Sequence, residues 1–99
     1  MTSAVIDADH VTYENYRQVR RELEKVVELG ITELDWSRVK SMDSPGISLV
    51  LSMIRLAKSK GQLLRCTHLP PSFYDLVSLY GIEPAIQGYV DAWPDQLSK

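Results

Sequence analysis

The sequence predicts an α/β fold, a mostly parallel sheet with helices packed on it, and three observations lead there. Short apolar runs at 3–7, 31–36 and 62–67 alternate with longer stretches of helical periodicity at 11–29, 47–61 and 72–80. The connections between them are short, as crossover units require. The most clearly punctuated helix directly follows the second apolar run, which places its N-terminus at one end of the sheet. Ninety-nine residues without repeats, linkers or low-complexity tracts make one domain spanning 1–99.

Each element has its own warrant. Ser3-Ala4-Val5-Ile6-Asp7 offers room for one short strand. Asp7 or Asp9 can cap the helix expected over 11–29, whose Tyr16, Val19, Leu23, Val26 and Val27 recur on one face. Its other face carries Arg17, Arg20, Arg21 and Lys25. Glu14, Glu22, Glu24 and Glu28 interleave with them, so it reads as a solvated mixed-charge face rather than a phosphate or headgroup site. Gly30 ends this helix, and the strand at 31–36 follows.

The chain is organised around the next stretch, Met42-Asp43-Ser44-Pro45-Gly46, and the helix it opens. Ser44 has the side chain of an N-cap, Pro45 suits the first helical position, and Lys58 and Lys60 sit at the negative end of the dipole. Gly61 is placed for the left-handed residue beyond the C-terminus. A strand at 62–67 and the turn His68-Leu69-Pro70-Pro71 lead to a helix at 72–80, with Phe73, Leu76, Val77 and Tyr80 on one side. Gly81 stops it, and Ile82 is placed to pack back on it. Beyond Glu83 the signals weaken, and Tyr89-Val90-Asp91-Ala92-Trp93 reads as a last short strand or turn.

The central helix is more apolar than one core face requires. Ile47, Val50, Leu51, Ile54 and Ala57 form one stripe, and Leu49, Met53 and Leu56 form a second beside it. Together they cover roughly 220° of the wheel. Either the second stripe is buried between the sheet and a neighbouring helix, or part of it is an exposed patch for a protein partner.

Composition narrows the function classes. A net charge of −2 argues against a nucleic-acid binder that works by phosphate neutralisation. The one cysteine, Cys66, excludes an internal disulfide and reads as a buried packing residue in a reducing compartment. No run approaches the ~20 apolar residues of a membrane span, and Met1-Thr2-Ser3-Ala4 is unlike a secretory leader, so the expectation is a cytoplasmic protein without direct membrane insertion. His10 and His68 look isolated, Ser44 lacks a nucleophile-elbow context, and no glycine-rich loop ends in Lys-Ser/Thr. The expectation is a non-catalytic protein with no cofactor and no metal.

The ordered set Leu34-Asp35-Trp36-Ser37-Arg38-Val39-Lys40-Ser41-Met42-Asp43-Ser44-Pro45-Gly46-Ile47 resembles the signature of the STAS domain, the fold of anti-sigma-factor antagonists. Gly61, the strand to Cys66, the helix ending Leu79-Tyr80-Gly81-Ile82 and Asp9-His10-Val11-Thr12 fall where the family's other elements fall, so the resemblance covers about 6–86. It implies a protein-interaction module and leaves two branches. In the antagonists, the residue matching Ser44 is phosphorylated by an anti-sigma factor serine kinase. In the other branch, the small STAS subunit of Mla-type phospholipid-transport ABC complexes binds the ATPase subunit, supports outer-membrane lipid asymmetry and works at the inner-membrane face. The segments 54–61 and 74–80 look more like the second branch.

The wide apolar arc beside the capped loop, with the contact the resemblance implies at Ser44, gives an expected partner surface of Asp43, Ser44, Pro45, Ile47, Ser48, Leu49, Met53 and Leu56. The chain departs from the pattern at Pro45, which replaces a second small residue. It also departs at the start, where the family has a further strand before the one matching Val5-Ile6. The expectation is therefore a sheet whose first edge is open to a partner or to a second copy of the chain.

Overall fold

The computed structural model describes residues 3–90 and has five short strands, all paired in parallel. In chain order they and the helices are β1 (Ser3–Val5), β2 (His10–Val11), α1 (Tyr16–Glu28), β3 (Glu33–Asp35), β4 (Ser41–Met42), α2 (Ser44–Ser59), β5 (Arg65–Thr67), α3 (Pro71–Tyr80) and α4 (Glu83–Ile86). A single 3-10 turn, Gln87–Tyr89, follows.

The expected parallel α/β architecture is present. One sheet has the order β1-β3-β5, in register Ala4 to Leu34 to Cys66, and the second pairs β2 with β4. The second ladder carries on from the first. Ile6 N–H donates to the Asp35 carbonyl (2.9 Å), Lys40 N–H to that of Asp9 (2.6 Å) and Asp43 N–H to that of Val11 (3.0 Å). Two neighbouring chain segments thus stay side by side until the first turn of α2. Val90 bridges Cys66, while Asp91, Ala92 and Trp93 of the expected last strand lie outside the described residues. β1 has β3 as its one strand neighbour among the described residues.

Alternation along the strands sets the core. Leu34, Trp36, Leu64 and Cys66 are buried, and so are Val19, Leu23 and Val27 of α1 and Phe73, Tyr74 and Val77 of α3. Mixed-charge pairs on the outside of α1 match the solvated reading of that face: Arg20 meets Glu24 at 3.1 Å, and Glu28 meets Lys60 at 3.6 Å.

α1 starts at Tyr16, not at Val11, because His10 and Val11 are taken up by the ladder with Ser41 and Met42. Asn15, rather than Asp7 or Asp9, manages the junction. Its Oδ1 accepts from Thr12 N–H at 2.9 Å, and its Nδ2 donates to the His10 carbonyl at 2.6 Å. The helix ends fall as the glycines predict. At the end of α3, Gly81 has φ +67°, Gly81 N–H donates to the Ser78 carbonyl and Ile82 N–H to that of Val77. This double closure needs a left-handed residue, which glycine supplies without a Cβ penalty. Ile82 then packs against the core, as its spacing predicts. The same pair of bonds closes α1 at Gly30 and α2 at Gly61.

Candidate functional site

The junction of β4 and α2 carries most of the residues singled out in the sequence. One correction concerns its cap. Ser44 is the first residue of α2, and the capping position belongs to Asp43, whose backbone is extended (φ −91°, ψ −175°). The ladder decides this. Asp43 N–H is bound to the Val11 carbonyl, and the Asp43 carbonyl already accepts from Gly46 N–H at 2.8 Å, so the first turn closes one residue earlier than a serine cap predicts. Pro45 therefore stands at the second helical position and brings no N–H to satisfy. With so few free donors left, the Asp43 carboxylate makes no capping bond and stays exposed.

Freed from capping, the Ser44 hydroxyl makes a bond of another kind. Its Oγ lies 2.5 Å from the phenol oxygen of Tyr80, the last residue of α3, and either group can donate. A second tie runs beneath it, from Met42 N–H to the Ser72 hydroxyl at 3.1 Å. Between them lies an open groove lined by Tyr13, Met42, Asp43, Ser44, Ser72, Asp75 and Leu76. Tyr13, 77% exposed, stands at its rim. Gly46 lets strand and helix approach. A Cβ there would lie 2.7 Å from Met42 Cβ, closer than two carbons can pack.

The second correction concerns the apolar arc of α2. Leu49 and Met53 are fully buried, as are Pro45 and Ile47, and Leu56 is half-buried against the core. α2 packs on α1 on one side and on α3 on the other, which covers both stripes. The alternative of a neighbouring helix over the second stripe therefore holds. Leu49 and Met53 cannot touch a partner in this conformation. The face of α2 open to a partner carries Ser44, Ser48, Ser52 and Arg55, spaced three and four residues apart, with the half-buried Leu51 and Leu56 on either side of it.

Tyr80 was legible only as a buried-side residue of α3, and nothing local in the sequence pairs it with a serine 36 positions away. Neither histidine is isolated. His10 Nδ1 is 2.7 Å from Ser41 Oγ across the β2–β4 pair, and His68 Nδ1 is 3.3 Å from Asp35 Oδ1. The Ser37 N–H bond, chiefly, and the His68 charge hold the Asp35 carboxyl below the usual carboxylate range. Among the described residues no group of His, Cys, Asp or Glu has the arrangement of a metal site, and no helix is long and apolar enough to cross a membrane.

The family follows from the whole pattern. A family profile described as "Mlab, STAS domain" matches residues 6–87. The chain belongs to the STAS family. The intermembrane phospholipid transport system binding protein MlaB of Escherichia coli is 38% identical over 53 residues, and that of Shigella flexneri gives the same figures. The matched stretch is 54% of this chain and 55% of each relative, so the chain matches about half the length of these curated relatives. Two solved structures share the STAS fold. The phosphorylated form of the Bacillus cell fate determinant SpoIIAA superposes with a TM-score of 0.62 at 18% identity, covering 98% of this chain and 87% of that one. A Thermotoga maritima protein described as an anti-sigma factor antagonist gives 0.70 at 14% identity, covering 98% and 86%. At those identities the likeness is one of fold.

Proposed function

We propose that this STAS domain is the non-catalytic subunit of a phospholipid-transport ABC system. It docks on the ATPase subunit through the first turn of α2 and supports outer-membrane lipid asymmetry from the cytoplasmic side. The observation that carries this reading is the match over 6–87 to the Mlab family, together with relatives named for intermembrane phospholipid transport. The geometry supplies a compatible surface. Asp43 and Ser48 are exposed, Ser44 is half-exposed, and the groove beside them is bounded by Tyr13 and Asp75. The buried members of the expected set, Pro45, Ile47, Leu49 and Met53, act by holding that turn in place rather than by contact.

The test is reconstitution with the ATPase subunit of a phospholipid-transport ABC system from the same genome. A stable complex on size-exclusion chromatography, lost on Ser48→Glu with the melting temperature unchanged, supports the reading. No complex at tens of micromolar of each protein overturns it.

A second reading is favoured by one feature, the half-exposed Ser44 hydroxyl at a helix N-terminus, where an added phosphate is electrostatically favoured. On that reading the chain is an anti-sigma-factor antagonist, and a partner serine kinase transfers the γ-phosphoryl of ATP to Ser44 Oγ, releasing ADP and the hydroxyl proton. A phosphate on Ser44 in cell-purified protein, detected by mass spectrometry, would support it. Its absence in cells that contain the kinase would count against it.

A further inference from the structure

We propose that Tyr80 is the positioning residue of the docking turn: its phenol holds the Ser44 hydroxyl and couples the first turn of α2 to the last turn of α3. This rests on the docking role given above to Ser44. The groove, the acidic groups along it and the outer edge of β1 are surfaces uncovered among the described residues, and nothing there says what fills them. The Ser44–Tyr80 bond, in contrast, is a built contact between two separate elements.

Three features of the structure support this. Both ends of the bond are fixed by backbone closures that do not depend on it. Ser44 follows directly on the ladder through Asp43, and Tyr80 directly precedes the double closure at Gly81. Next, Ser44 has no capping duty that would turn its hydroxyl back onto its own helix, because Pro45 has no N–H and Gly46 N–H is bound to the Asp43 carbonyl. Last, the bond is made at the surface, with Tyr80 49% exposed, where water could satisfy both hydroxyls. Burial does not force the pair, so its geometry is a matter of placement. With the bond in place, Ser44 Oγ points toward α3 and the two hydroxyls present one polar unit at the side of the groove. A partner that engages Ser44 therefore meets Tyr80 as well.

The experiment is a cycle of Ser44→Ala, Tyr80→Phe and the double variant, with Ser44→Thr as the hydroxyl-retaining control. Hydrogen exchange read by mass spectrometry is independent of any partner. Each single variant is expected to speed exchange in both segments, 44–48 and 77–82, by roughly three- to tenfold, the worth of one hydrogen bond. The double variant should be no faster than either single, and Ser44→Thr should stay near wild type. Additive effects, or a Tyr80→Phe effect confined to 77–82, overturn the coupling. Affinity for the ATPase subunit is the second readout, with equal and non-additive losses expected. Failure of the wild-type chain to bind at all sinks the docking role. Wild-type binding with additive losses sinks the positioning role of Tyr80 alone.

Discussion

Replacing Gly46 with alanine is the sharpest test of how the docking turn is held. The added Cβ would lie 2.7 Å from both Met42 Cβ and Met42 Sδ, and 3.0 Å from Cγ. Carbon atoms pack at about 3.5–4.0 Å, so strand and helix must separate by about 1 Å or the contact must be relieved in some other way. Sulfur and Cγ can swing aside, though Met42 is buried and has little free space. Its Cβ cannot, because it is fixed to the β4 backbone. Overpacking of this kind costs about 1–3 kcal/mol. Alanine returns up to about 1 kcal/mol of helix propensity, less in a first turn than mid-helix. The net expectation is a loss of about 1 kcal/mol, which for a domain of this size lowers the melting temperature by about 4–8 °C. Thermal melts and urea titrations of Gly46→Ala measure it directly. The same substitution in a Met42→Ala background locates the clash. The penalty should shrink but persist, since alanine keeps the Cβ. A Gly46→Ala variant more stable than wild type would refute the close approach. A penalty that vanishes completely with Met42→Ala would place the clash on the flexible side chain and not on the strand.

Four further outcomes can be checked. Ser44→Asp should fold normally yet weaken binding of the ATPase subunit, while Ser44→Ala should still bind and lose about 0.5–1.5 kcal/mol from the Tyr80 bond rather than from a cap; equal affinities would remove Ser44 from the interface. Asp35 has a folded pKa below its unfolded one, so its contribution is present above about pH 4 and is lost as pH falls through the folded value. Asp35→Asn should therefore flatten the acid side of a stability–pH curve. Trp36→Phe should cost clearly less than the about 3–5 kcal/mol of Trp36→Ala in chemical denaturation, because the buried Trp36 Nε1 has no partner to lose among the described residues. The edge of β1 that has no strand neighbour among the described residues, where Val5 is 52% exposed, predicts a sedimentation mass that rises with concentration and a monomeric Val5→Lys variant; a monomer throughout for both sinks the edge pairing.

Long-period features were readable and short ones were not. The three main helices announce themselves through a repeat of apolar residues over 10 or more positions and through glycines just past their ends, and their C-termini fall where Gly30, Gly61 and Gly81 put them. β2 and β4 are two residues each, too short for any alternation to register, so Val11 merged into the expected helix. The cap at Asp43 rather than Ser44 follows from the same ladder, a non-local constraint on a local choice. Periodicity also found both stripes of α2 but could not tell a stripe facing a helix of its own chain from one facing a partner. That distinction depends on α3 lying over it.

How α2 is packed limits what the docking surface can be. A helix covered by α1 on one side and α3 on the other has spent its Leu49, Val50, Met53, Ile54 and Ala57 on the fold, and a partner cannot take them without unfolding it. The outward face is mostly polar, with Ser44, Ser48 and Ser52 above Arg55 and the half-buried Leu51 and Leu56 at its margins, and offers modest apolar area for affinity. Recognition must then draw on what borders its N-terminal turn: the exposed ring of Tyr13, the Asp43 and Asp75 carboxylates, and Tyr80 with the neighbouring exposed Leu79. These come from three separate stretches of chain, converging where the β2–β4 ladder delivers Asp43 to α2 and where α3 ends beside it. An interface assembled in this way depends on the relative placement of α2 and α3 more than on any single side chain. That is why Met42, Gly46 and Tyr80, none of them part of the surface read from the sequence, should govern its affinity as strongly as Ser44 itself.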